Sequence, residues 1–151
     1  MTRLERVSPG GAHWSEQQYE NMFKIEAGAS LCEHFALVVD AEPVATGEGG
    51  APEPQGLPGF LVAQRVDREW ELQNLVVAEE ARRRGVGTLL ISELIKWARA
   101  QQGSGIFLEV RESNQSARAF YKNQAFEEIG VRKGYYSNPT EDAILCRLSL
   151  Y

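Results

Sequence analysis

The chain has 151 residues, 43% of them hydrophobic and 25% charged, with a formal net charge of −5. That is one domain's worth of sequence, long enough to bury a core without staples, and the composition excludes a disordered or collagen-like chain. No apolar run approaches the about 18–20 residues of a membrane span, the acidic balance argues against a nucleic-acid binder, and with only His13 and His34 present no metal site is expected.

Taken in chain order, Ser15 and Gln18 have capping-box spacing, with Trp14 and Tyr19 at the staple positions, so a helix is predicted from Ser15 to about residue 26. Residues 35–39 (FALVV) form a β-rich run. Residues 41–59 hold four of the six prolines and five of the 14 glycines, and are expected to be a long mobile loop inserted in one domain spanning 1–151. Residues 60–66 and 70–77 read as strands joined at Asp67, Arg68 and Glu69. Residues 86–100 place Leu90, Ile91, Leu94, Ile95, Trp97 and Ala98 on one helical face, with Gly103 as terminator. Residues 106–110 read as a strand containing Glu109, and Ser113 or Asn114 caps a short helix running to Tyr121. Residues 126–132 and 143–150 are the last strands, on either side of the polar turn region KGYYSNPTED. The order predicts an α/β fold: a mixed sheet with helices on its faces.

Charge is uneven along the chain. Residues 1–75 carry 12 acidic and 5 basic side chains, and residues 76–151 carry 9 and 11. Such a division suits an enzyme that joins a cationic substrate to an anionic cofactor, and it is also what ordinary surface scatter produces. The opening MTRLERVSPGGAHWSE has no apolar stretch of the export-signal kind, so a cytoplasmic protein is expected, with Cys32 and Cys146 as free thiols.

The densest motif is Arg82, Arg83, Arg84, Gly85, Val86, Gly87 and Thr88, between the apolar Leu75, Val76 and Val77 and the helix that follows. Free N–H groups at a helix start, its positive dipole end and adjacent arginines make a pyrophosphate site. The alternative is a purely structural turn. The third glycine of a dinucleotide fingerprint is missing, since Leu90 stands there, and so is the GKS or GKT of a Walker loop.

In this setting R-x-x-G-x-G resembles the coenzyme A loop of the GNAT acetyltransferases. The strings LQNLVVAEEARRRGVGTLL, LEVRESNQSARAFYKNQAFEEIG and KGYYSNPTEDAILCRLSL are similar to one branch of that family, the ribosomal-protein-alanine N-acetyltransferases. The resemblance covers roughly residues 13–150. It implies a GNAT fold with a mostly antiparallel central sheet and helices on both faces. Only 13 residues precede Trp14, so the family's first strand is expected to be short or absent.

The resemblance also implies roles. Acetyl-CoA would be the acetyl donor, held by Arg83, Arg84, Gly85, Val86, Gly87 and Thr88, by the backbone of Leu75, Val76 and Val77, and by Asn114. Glu109 would be the general base toward an amine and Tyr121 the acid that protonates the departing sulfur. Trp14, Tyr135 and Tyr136 would flank the acceptor groove. The acceptor would be a protein N-terminal amine, such as the alanine of a ribosomal protein. A small-molecule amine, a lysine side chain or a silent coenzyme A-binding module stay open as alternatives. Each residue also has a plain structural alternative: an ion pair for Glu109, core packing for Tyr121 and the other tyrosines, a helix cap for Asn114 and a staple for Trp14. No nucleic acid or membrane partner is expected, and the sequence leaves the oligomeric state open.

Overall fold

The computed structural model describes residues 32–39 and 58–151. The predicted helix from Ser15, the Trp14 position and nearly all of the 41–59 loop lie outside the described residues. Among the described residues six strands form one sheet, in the order β1-β2-β3-β4-β6-β5. They are β1 (Cys32–Val39), β2 (Gly59–Val66), β3 (Glu69–Val77), β4 (Gly105–Arg111), β5 (Glu127–Tyr136) and β6 (Glu141–Ser149). Two helices join them: α1 (Val86–Ala100) between β3 and β4, and α2 (Gln115–Asn123) between β4 and β5. Every strand pair is antiparallel except β3 with β4, which α1 connects as a crossover. The mixed, mostly antiparallel sheet matches the expected fold class.

The core lies on one face of the sheet. Leu61, Leu72, Ile106, Leu108, Val110, Ile144 and Cys146 meet Leu90, Ile91, Leu94 and Ala98 of α1 there. Ala117, Phe120 and Tyr121 of α2 pack against the same cluster, so both described helices cover this face. The alternation along β4 follows: Ile106, Leu108 and Val110 are buried toward the helices, while Phe107, Glu109 and Arg111 point to the opposite face.

Four local expectations need correction. Trp97 leaves the buried stripe and is 45% exposed, because it overhangs β1 and meets Phe35 edge-on, with ring centroids 5.0 Å apart. Gly103 does not take the left-handed turn after α1. Gln102 does, with φ 56°. Gly103 is instead the residue that fits under Trp70, where a Cβ would lie 2.8 Å from the Ala98 carbonyl oxygen. The turn predicted over KGYYSNPTED begins later, since Lys133, Gly134, Tyr135 and Tyr136 belong to β5. Asp142 makes this possible by accepting hydrogen bonds from Lys133 Nζ and the Gly134 N–H, while the positive φ of Gly134 absorbs an irregular register. A 3-10 turn at Glu79–Ala81, which the periodicity did not predict, connects β3 to the glycine loop.

Candidate active site

The site begins with a fault in the sheet. β3 and β4 are paired only over Glu69–Leu72 and Gly105–Leu108. Gln73 is an extra residue in β3: Leu72 pairs with Ala63 and Asn74 with Val62, leaving Gln73 between them. Past this point β3 pairs only with β2 and β4 only with β6, so the parallel strands part. The backbone of Leu75, Val76 and Val77 borders the gap on one side and that of Glu109 borders it on the other. The Val77 carbonyl accepts a hydrogen bond from Arg82 Nε at 3.3 Å, which ties the loop to the strand end.

The glycine loop stands above this gap on the helix face. Gly85 is the N-cap of α1 in the left-handed region, with φ 85°, and no side chain caps the helix. The first-turn N–H groups of Val86, Gly87 and Thr88 therefore have no side-chain acceptor, and Arg83, Arg84 and Thr88 are exposed beside them. Uncapped donors, a positive dipole end and two free-standing guanidinium groups fit a diphosphate. The two glycines have different reasons for being there. Gly85 is required by its φ, with open space where a Cβ would be. A Cβ on Gly87 would lie 3.2 Å from the Phe120 ring, so that glycine lets α1 and α2 approach. Gly59 is a second close-packing glycine in this region, since a Cβ there would meet Val86 at 2.8 Å. Lying in a Gly/Pro-rich stretch, it had no distinguishing sequence mark.

Asn114 is the N-cap of α2: its Oδ1 accepts from the Ala117 N–H at 3.1 Å and from Ser116 Oγ at 3.0 Å. The cap alternative is thus realised, which leaves the amide nitrogen as the group to face a ligand. Tyr121, one helical face away, packs edge-on against Phe120 and Phe126. Burial, and then the neighbouring Cys146 and Tyr136, push its hydroxyl well above the ordinary tyrosine value. Its ring is part of the packing, as the structural alternative holds, and its hydroxyl stays protonated.

Glu109 is on the opposite face. Arg132 Nη1 of β5 donates to its Oε1 at 2.7 Å, so the ion-pair alternative is also realised. The Tyr135 hydroxyl is raised first by a hydrogen bond to Glu109, and the Arg132 guanidinium lies over the Tyr135 ring at 4.4 Å. Tyr136 donates from its hydroxyl to the Glu109 backbone carbonyl at 3.4 Å, with Arg111 over its ring at 4.1 Å. Burial, then the Glu109 charge, pushes Tyr136 up to about 12. The structure therefore brings Glu109, Tyr135 and Tyr136 together.

Three participants were missed by sequence reasoning: Glu71, Arg111 and Arg132. Glu71 lines a cavity of about 240 Å³ with Glu69, Phe107, Glu109 and Leu145 on the face away from the helices. Partial burial, and then the Glu109 charge, push its carboxyl up, with Arg132 opposing. The alternation of Trp70 and Leu72 could have placed Glu69 and Glu71 on the outer face, but only strand pairing puts Glu71 beside Glu109. Among the described residues no group of three or more metal-ligating side chains is assembled, and no helix is long and apolar enough to cross a membrane.

Comparison with known proteins agrees with this geometry. The acetyltransferase (GNAT) family matches residues 2–126. The [ribosomal protein bS18]-alanine N-acetyltransferase of Salmonella typhimurium is 34% identical over 96 residues, which is 62% of this chain and 65% of that protein. The crystal structure of the ribosomal-protein-S18-alanine N-acetyltransferase from Escherichia coli superposes with a TM-score of 0.70 at 25% identity, covering 99% of this chain and 84% of that one. An acetyltransferase structure from Bacillus anthracis, solved in complex with acetyl coenzyme A, has a TM-score of 0.58 at 28% identity, over 62% of this chain and 56% of that one. The chain spans less than two thirds of the length of the first curated relatives it matches.

Proposed function

The chain belongs to the GNAT acetyltransferase family, and on that premise we propose that it transfers acetyl from acetyl-CoA to the N-terminal amine of a protein. The observation that carries this reading is the parted strand pair. A sheet normally separates what lies on its two faces. A gap between β3 and β4 lets a donor held on the helix face and an amine arriving on the carboxylate face reach one another.

Bound acetyl-CoA supplies an activated thioester carbonyl. The uncapped start of α1, with Arg83, Arg84 and Thr88, would hold the diphosphate, and Gly85 gives the turn its required conformation. The open backbone edge of Leu75, Val76 and Val77 offers N–H donors where negative charge develops on the carbonyl oxygen. Tyr121, whose hydroxyl stays protonated, would be the group that protonates the departing thiolate.

On the acceptor face, Glu109 stands in the Arg132–Tyr135 network and presents fixed negative charge to an ammonium group. The exposed Tyr135 ring offers a flat surface for the first residues of a peptide. The family branch supports an alanine-starting ribosomal protein as acceptor in the cytoplasm. The test is release of free thiol from acetyl-CoA in the presence of an alanine-starting peptide, the same peptide blocked at its N-terminus with a free lysine, and a polyamine. Fastest turnover on the free N-terminus is expected. Faster turnover on either competitor would remove N-terminal specificity.

A further inference from the structure

We propose that Glu141 is a positioning residue of this site: a single carboxylate that ties the acceptor groove at Tyr136, through Arg111, to the start of α2 at Ser113, beside Asn114. The inference rests on the acetyl-transfer reading above and adds to it a residue that acts only through its neighbours.

The tie follows from where the strands end. β4 stops at Arg111, which pairs with Ala143 of β6, and β6 extends past that point through Asp142 to Glu141. The Glu112 N–H donates to the Asp142 carbonyl at 3.1 Å, so the chain leaving β4 stays beside β6 on its way to α2. Glu141 itself pairs with Tyr136 across the β5–β6 hairpin. It therefore stands between the loop that enters α2 and the strand end that carries the tyrosines.

Its two oxygens are divided between these neighbours. Oε1 accepts from the Ser113 N–H at 2.5 Å, and Oε2 accepts from Arg111 Nη1 at 3.1 Å. Ser113 directly precedes Asn114, whose Oδ1 is taken by the Ala117 N–H, so the bond to Ser113 fixes the residue before the cap. Arg111 carries the other half. Its guanidinium lies over the Tyr136 ring at 4.1 Å, and the Tyr136 hydroxyl reaches the Glu109 carbonyl. A long arginine stem would otherwise sample many rotamers; a charge-assisted hydrogen bond selects the one that covers the ring. The Glu141 side chain is 15% exposed and that of Arg111 34%, so this is no freely screened surface pair. Hydrogen bonding from Ser113, and after it Arg111, holds the Glu141 carboxyl below the usual carboxylate range, so the tie is charged at neutral pH. The adjacent Asp142 differs: its carboxylate bonds Lys133 and the Gly134 N–H, both in β5, and makes no link to α2.

The experiment measures thiol release from acetyl-CoA with an alanine-starting peptide, varying each substrate in turn. Glu141→Ala breaks both bonds and is expected to raise KM for both substrates by ~10-fold, with kcat kept. Glu141→Gln leaves one acceptor oxygen, which the fixed Ser113 N–H retains, and turns an amide NH₂ toward Arg111. Its KM should rise for the peptide and stay at the wild-type value for acetyl-CoA. Arg111→Met keeps the stem without the charge and should behave in the same way. The double variant of Glu141→Gln with Arg111→Met should be no worse than either alone, because both break one tie.

A plain structural brace would lower the melting temperature of these variants and leave both KM values of the folded protein unchanged, and that result would overturn the assignment. So would peptide KM rises that multiply in the double variant, or a Glu141→Ala enzyme whose acetyl-CoA KM is that of wild type. If Glu141→Ala does not fold, Glu141→Gln, Arg111→Met and their double variant carry the test. Wild-type protein that releases no thiol with any amine would instead overturn the proposed function.

Discussion

The two faces of the parted sheet are built by different means. On the helix face, the anion-binding loop is a continuous stretch, from Arg82 to Thr88, whose conformation is set by left-handed residues at Arg83 and Gly85. On the acceptor face, Glu71, Glu109, Arg132, Tyr135 and Tyr136 come from three strands, β3, β4 and β5, with α1 between the first two in the chain and α2 between the last two. A local loop carries its function in its spacing. A cross-strand cluster carries it in register, which depends on every pairing between its members.

The largest expected effect joins the faces. Tyr121→Phe removes one hydroxyl and leaves the packing on Phe120 and Phe126, so kcat should fall by ~10²–10⁴-fold with acetyl-CoA affinity unchanged in calorimetry. Unchanged kcat would return Tyr121 to a packing role alone.

Next is the loop. Gly87→Val puts a branched side chain against Phe120, and overpacking there should cost about 1–3 kcal/mol of stability while displacing the first turn of α1. Loss of acetyl-CoA binding in a variant that still melts cooperatively is the expected result. Gly85→Ala has open space but a positive φ, so it should cost about 1–2 kcal/mol with binding partly kept. Equal losses in the two variants would erase the distinction between a packing glycine and a conformational one.

Asn114→Ala separates capping from ligand contact. Loss of the cap should cost about 0.5–2 kcal/mol in denaturant melts. A drop in acetyl-CoA affinity in the same variant would show the amide nitrogen at work as well. The smallest effect is expected on the acceptor face: Arg132→Ala removes a cation that lowers the Glu71 pKa. The Glu71 carboxyl should then titrate at higher pH, followed by NMR of its side-chain carboxyl carbon. A titration that stays in place or moves to lower pH would separate Arg132 from Glu71.

The sequence by itself determined most elements to within a few residues, because their causes are local. The apolar period of residues 86–100 makes an amphipathic helix in any context that offers a core, and α1 occupies that span. Asn114 caps because its side chain reaches an N–H three residues on. β5 escaped this reading at its end, since Gly134 and two tyrosines look like a turn until Asp142 is seen to hold them in the ladder. The meaning of Gly87 was legible only in part: it stands in the loop motif, but what its missing side chain makes room for is Phe120 of the next helix. Only the tertiary structure decided which partner each acidic residue has. Glu109 was visible as a charge inside an apolar strand. That it pairs with Arg132, and that Glu71 lines the same cavity with no ion-pair partner among the described residues, follows from a bulge at Gln73 and from the order in which β3, β4, β6 and β5 lie side by side. A one-residue change of register turns a strand's side chains to the other face, so a cluster assembled across strands has no signature in the spacing of any one of them.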